Sequence, residues 1–124
     1  MSNTNEATQK YLVNCQEGAN HLERATISFI LAVTASKTCE TAVFITSDAA
    51  ILCVKGGAGG MVSEGLEPID SLIKQFVSNG GKLWLCPVCA KVKGISETDL
   101  IEGAEIAGAP RTMAFLAGGA KVLA

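Results

Sequence analysis

The chain is poor in several things that commonly carry function. Of its 124 residues only one, His21, is a histidine. No Ser-His-Asp set can be built around it, no carboxylate dyad can be argued from the acids, and His21 is expected as a surface residue of a first helical turn. Charge of one sign is missing as well: 10 Lys and Arg against 12 Asp and Glu leave a formal charge of −2. Without a basic excess nothing is present to hold a phosphate backbone, which argues against nucleic acid as a partner. Long apolar runs are lacking. The most apolar stretch, residues 27–35, is broken by Ser28 and Thr34 and falls far short of the ~20 residues needed to span a bilayer. The opening MSNTNEATQK has neither the charged nor the apolar region of a signal peptide. A cytoplasmic protein with no stable membrane insertion is therefore expected.

Cysteine is present but lacks the pattern of a framework. Five residues, an odd number, in a chain with no export signal argue against a disulfide scaffold. Cys15, Cys39 and Cys53 are scattered singly, and a structural zinc would want a second close pair. No metal and no cofactor are expected. Plain buried thiols account for most of the five, because free Cys is among the most buried residue types.

What is there is apolar. The composition is 48% apolar and only 18% charged, enough for one domain with a real core and with little solvated surface to spare. A surplus of that kind commonly ends in a subunit interface, so a homo-oligomer is expected. Residues 1–9 read as a disordered lead and residues 10–124 as a single domain.

Along that domain, helical and strand patterns alternate. Residues 11–15 (YLVNC) form a short apolar run fit for a buried strand. Asn20 followed by Glu23 resembles a capping box at the head of a helix over residues 21–36. Residues 41–46 (TAVFIT) are β-branched and aromatic, a second strand. Residues 49–54 suggest a short helix. KGGAGG, residues 55–60, is expected as a mobile loop, since four glycines in six residues make no stable element. It lacks the Gly-Lys-Ser/Thr ending of a P-loop and the strand-to-helix setting of GxGxxG, so a lid over the strand ends is the better reading. Pro68 is placed to open a helix carrying Ile69, Leu72, Ile73, Phe76 and Val77 at helical spacing, and Asn79-Gly80-Gly81 stops it. Residues 82–86 (KLWLC) are a third strand, followed by a helix that Pro87 opens and Gly94 ends. Ser96 and Asp99 cap a short helix to Glu102. Residues 105–107 are a weak strand, Pro110 opens a last helix, and residues 121–124 close as a strand. Strands that are continuous apolar runs, alternating with helices, predict an α/β fold with a parallel sheet covered on both faces. Ligands and chemistry gather at the carboxyl ends of such strands, where Cys15, Ser47-Asp48 and Cys86 fall. Asp48 is equally a site carboxylate or a helix cap.

Cys86 has the clearest chemical case. It ends a strand and precedes a helix opened by Pro87, with Lys91 and Lys93 nearby, and each of these influences favours the thiolate. Cys89 follows after one helical turn. CPVC therefore allows a thiol-disulfide pair, though its place two thirds of the way along the chain is not the usual thioredoxin setting. Cys89 can equally resolve an oxidised or persulfidated Cys86, or face the core.

The segment TAVFITSDAAIL, the glycine loop, KLWLCPVCAKVKGI and DLIEGAEIAGA, in that order over roughly residues 10–124, resemble the DsrE/DsrF-like family, which includes the sulfur-relay subunits of the TusD type. The resemblance implies a three-layer α/β/α sandwich on a five-stranded, mainly parallel sheet, assembled as trimers or hexamers. It also implies that Cys86, matching the family's active cysteine, carries sulfur as a persulfide between a donor and an acceptor protein. Cys89 departs from those subunits. The resulting expectation is a sulfurtransferase-like carrier with Cys86 and Cys89 as its chemical residues. Pro87 and Lys91 would tune the thiol, Asp48 would lie near it, and Gly56, Gly57, Gly59 and Gly60 would gate it. The alternatives are a non-catalytic small-molecule-binding oligomer and a CxxC oxidoreductase.

Overall fold

A computed structural model describes residues 9–123; most of the expected disordered lead, residues 1–8, lies outside them. Five strands form one sheet: β1 (Lys10–Cys15), β2 (Glu40–Ile45), β3 (Lys82–Leu85), β4 (Ala104–Ile106) and β5 (Ala120–Leu123). Their order is β4-β3-β2-β1-β5 and every neighbouring pair is parallel. Four helices cover them: α1 (Leu22–Ser36), α2 (Ile69–Ser78), α3 (Pro87–Val92) and α4 (Ala109–Ala117).

The period-2 alternation of strand side chains divides the core in two. One face of the sheet presents Val13, Cys15, Val43, Ile45, Leu83 and Leu85. Against it pack Ala25, Phe29, Ala32 and Val33 of α1 and Ile69, Leu72, Ile73 and Phe76 of α2. Phe29 and Phe76 meet edge to face with ring centroids 6.2 Å apart. Both are fully buried, and burial of each such side chain stabilises by about 1.5–3 kcal/mol. The other face presents Leu12, Ala42 and Trp84 and is covered by Phe115 and Leu116 of α4. Trp84 and Phe115 are again edge to face, at 5.2 Å. The result is three layers, the second face having the thinner cover.

Local differences from the sequence reading have identifiable causes. No capping box forms between Asn20 and Glu23. His21 is the N-cap of α1, and residues 19–21 make a 3-10 turn. The Asn20 side chain accepts from the Gly18 N–H at 2.8 Å and donates to Glu17 at 2.7 Å, closing the turn itself. The short helix expected over residues 49–54 is a 3-10 turn, Ser47–Cys53. Pro68 precedes α2 in extended backbone rather than opening it. The capping box of Ser96 and Asp99 does form, but on a 3-10 turn that ends at Asp99.

The glycine stretch is tied down. Its Lys55 N–H donates to the Asp99 carbonyl at 2.9 Å and Lys55 Nζ to the Thr98 carbonyl at 3.1 Å. Successive turns run through Gly57, Gly59 and Met61, and Ala58 is buried in the core. Four glycines here serve a tight, hydrogen-bonded path more than looseness.

Gly18 shows how closely the strand ends are packed. A Cβ at this position would overlap the Asp48 carbonyl oxygen, and Ala49 Cα lies 3.7 Å away. The obstacle is backbone and cannot swing aside. Gly18→Ala is expected to destabilise by about 1–3 kcal/mol, read as a lowered urea midpoint. An unchanged midpoint would mean that the turn at Ser47–Cys53 yields freely.

Candidate functional site

The sheet ladder continues one residue past the ends of the central strands. The Thr46 N–H donates to the Cys15 carbonyl at 3.1 Å, the Cys86 N–H to the Ile45 carbonyl at 3.0 Å, and the Ala107 N–H to the Leu85 carbonyl at 3.0 Å. Cys86 is thus held by the sheet on one side and begins α3 on the other, as its N-cap with Pro87 in the first turn. A strand that stops against a proline can only turn here, because Pro87 lacks the N–H that would extend the ladder.

Cys86 lines an open cleft of about 530 Å³. Pro87 and Val88 form one wall with it, and the stretch from Ile106 through Gly108 and Pro110 to Arg111 forms the other. Both walls are a strand end passing into a helix that carries proline in its first turn. They approach closely: a Cβ on Gly108 would stand 2.9 Å from Pro87 Cδ and 3.2 Å from Pro87 Cγ. The φ of Gly108, −106°, suits any residue, so space and not backbone freedom calls for glycine. Gly108→Ala must push the Pro87 ring, and Cys86 with it. We expect slower alkylation of Cys86 and a stability loss of about 1–3 kcal/mol. Unchanged alkylation would show that the two walls are not coupled.

Cys89 has different surroundings. It packs against the core on the α1–α2 face, and its Sγ accepts a hydrogen bond from the Ser47 N–H at 3.2 Å. Ser47, at φ +55°, is the only non-glycine residue at positive φ among the described residues. That conformation costs an L-residue about 1–2 kcal/mol and is found where the N–H meets the thiol.

The remaining cysteines separate by burial. Desolvation pushes the Cys15 thiol up to about 11 and the Cys53 thiol up to about 12, and the Glu17 carbonyl, which accepts from Cys15 Sγ, offsets part of the first. Cys39 is half-buried beside the Thr38 hydroxyl, just before β2 begins. It therefore lies at the end of the sheet opposite Cys86. Among the described residues no group of three or more His, Cys, Asp or Glu could hold a metal ion.

Of the residues singled out in the sequence, the structure puts Cys86 and Pro87 in the cleft. Lys91 is exposed in the last turn of α3, and Asp48 is exposed in the turn after β2. Neither lines the cleft, nor do Gly56, Gly57, Gly59 and Gly60. Sequence reasoning missed Arg111. Its Nη1 donates to Glu105 Oε2 at 3.0 Å, and its guanidinium lies 5.7 Å from the Trp84 ring centroid. The available signal was the repeated order of strand, small residue or cysteine, proline and helix at Cys86-Pro87 and again at Gly108-Ala109-Pro110. No helix among the described residues is long and apolar enough to cross a membrane.

Comparison with known proteins gives a consistent result. The sequence model of the DsrE/DsrF-like family matches residues 9–124. An uncharacterized protein of Methanocaldococcus jannaschii is 32% identical over 100 residues, covering 80% of this chain and 36% of that protein. An uncharacterized protein of Methanopyrus kandleri is 35% identical over 68 residues, covering 55% of this chain and 53% of that protein. The chain thus spans from about a third to about half the length of these curated relatives. Among solved structures, the ychN protein from E. coli superposes with a TM-score of 0.70 at 23% identity, covering 93% of this chain and 97% of that one. A protein of unknown function from Methanobacterium thermoautotrophicum superposes with a TM-score of 0.66 at 14% identity, again over 93% and 97%. At these identities the superpositions speak for the shared fold.

Proposed function

The chain belongs to the DsrE/DsrF-like family, and from that premise we propose that it carries sulfane sulfur on Cys86 and hands it to an acceptor protein. The observation that carries this reading is placement: of the five cysteines, Cys86 is the one that lines an open cleft at the carboxyl edge of the sheet. In loading, the Cys86 thiolate attacks the outer sulfur of a donor persulfide, R–S–SH. A bond forms between Cys86 Sγ and that sulfur, and the donor S–S bond breaks. Its electron pair leaves on R–S⁻, and the proton stays on the transferred sulfur. Discharge is the same exchange with an acceptor thiolate as nucleophile, so no net oxidant or reductant is consumed. The open cleft leaves room for an acceptor to approach.

A homo-oligomer, with a trimer or hexamer favoured, accompanies this reading. Its support is the thin cover of the second sheet face, where Val122 is 55% exposed beside Leu12, together with Val88 and Val92, exposed one turn apart on α3.

A second reading, thiol-disulfide exchange, is favoured by the positions of the two cysteines, N-cap and third residue of α3. Side chains at that spacing reach back across the helix start. Intact-mass spectrometry of the reduced protein after a persulfide donor separates the two readings. A gain of one sulfur atom mapped to Cys86 supports the carrier. No sulfur gained in Cys89→Ser, where a loaded sulfur cannot be lost to a disulfide, together with loss of two hydrogens in the native protein, would replace it with the redox pair.

A further inference from the structure

We propose that Arg111 makes the cleft selective for anionic sulfur donors, and that the donor which loads Cys86 is a small organic persulfide bearing a carboxylate. This deepens the carrier reading and rests on it for the identity of the reacting sulfur. Three observations lead here. Arg111 lines the same cleft as Cys86, and the rest of the lining brings no other charge. Its guanidinium is held from two sides, by Glu105 at 3.0 Å and by the Trp84 ring at 5.7 Å. Its contact with Glu105 is made through Nη1, and a guanidinium carries five N–H donors in a fixed fork, so donors remain for a second anion.

Glu105 does not cancel this capacity. The pair is about half exposed, at 50% and 43%, and exposed ion pairs hold weakly enough to share or exchange a partner. The walls decide between classes of anion. Pro87, Val88, Ile106, Ala107 and Pro110 are apolar, which suits a solute with a carbon skeleton better than a fully hydrated inorganic anion. The volume, about 530 Å³, falls in the range of small-molecule sites. A carboxylate on Arg111 would hold the donor beside Cys86 while the thiolate takes its outer sulfur and R–S⁻ departs carrying the carboxylate.

The test uses the full chain and two alkylating probes of similar size, anionic iodoacetate and neutral iodoacetamide. Their rate ratio at Cys86, read by peptide mass spectrometry at one pH, cancels the thiol's own ionisation. Arg111→Gln is expected to lower the iodoacetate to iodoacetamide ratio about tenfold, the size of one charge-assisted hydrogen bond. Glu105→Gln, which frees the guanidinium, is expected to raise it. An unchanged ratio in Arg111→Gln overturns the proposal. Should that variant fail to fold, a ratio that does not rise in Glu105→Gln overturns it instead. Loading is then compared with cysteine persulfide and with thiosulfate. Faster loading by cysteine persulfide, slowed in Arg111→Gln, supports the carboxylate donor, and preference for thiosulfate overturns it. No loading by either donor with the alkylation ratios as expected would sink the carrier reading and leave the anion contact standing.

Discussion

Cys86→Ser protein is expected to gain no sulfur from a persulfide donor, while Cys15→Ala, Cys53→Ala and Cys89→Ser still gain one atom. The ranking comes from the surroundings of each thiol. Only the thiolate attacks a persulfide. With burial holding the Cys15 thiol at about 11 and the Cys53 thiol at about 12, roughly one molecule in 10⁴ and one in 10⁵ carry either thiolate at pH 7. Both are also shut inside the core at 1% and 0% exposure, so a donor could reach them only through opening of the fold. Cys89 is reached less directly than Cys86, since it packs on the core and its sulfur already accepts the Ser47 N–H. Its replacement is therefore expected to spare loading and to alter the fate of the loaded sulfur. A Cys86 persulfide with Cys89 present can be resolved to a disulfide, with HS⁻ released as the leaving group. The Cys89→Ser variant cannot do this and should keep its sulfur longer. The measurement is intact mass and then peptide mapping. Undiminished sulfur in Cys86→Ser would move the carrier to another thiol, and the peptide that bears it would say which.

Raising the pH should unfold the protein more steeply than its surface charge alone would. Burial raises the Cys15 and Cys53 thiols above the unfolded value of 9.0, to about 11 and about 12. Between those values the unfolded chain has lost protons that the folded chain keeps, so stability falls as pH rises. The contribution is fully present below pH 9 and is lost progressively above it. Integrated for the two groups it amounts to roughly 5 kcal/mol by pH 11. That is a large part of the 5–15 kcal/mol typical of a whole domain. Chemical denaturation at a series of pH values, native protein against a Cys15→Ala/Cys53→Ala double variant, isolates the contribution of the two buried thiols. The native curve should fall away from that of the variant above pH 9. Parallel curves would mean that water reaches both thiols in the folded state.

The architecture was largely legible in the sequence because parallel strands buried on both faces must be continuous apolar runs, and YLVNC, TAVFIT and KLWLC are such runs. The position of Cys86 was legible for the same reason: the ladder ends where Pro87 withdraws an N–H. The opposite wall of the cleft was not. It rises from β4, three half-buried residues with little apolar signal of their own, and its distance from Cys86 is set by a contact between Gly108 and Pro87 that no local pattern encodes. The glycine stretch misled through composition, since φ near +76° and +78° at Gly56 and Gly60 serves a fixed path as well as a mobile one. Ser47 was beyond reach. A left-handed serine goes against local preference, and only the tertiary contact with Cys89 marks where it falls. Arg111 reads as an ordinary helical surface residue until the fold sets it across from a thiol 25 positions earlier.

The strand order also fixes a sequence of events in time. β1 sits between β2, which comes soon after it in the chain, and β5, whose residues 120–123 pair with residues 10–13. The link from β4 to β5 carries the chain by way of α4 from one edge of the sheet to the other. Closing a loop of over a hundred residues costs entropy that only the finished contact returns. The β1–β2–β3 ladder can therefore assemble as soon as its own residues exist, and during synthesis, which proceeds from the N-terminus, β5 must dock last. Until it does, β1 stays an open strand edge and Trp84 lacks the cover of Phe115. In that interval the chain is most exposed to pairing with its neighbours.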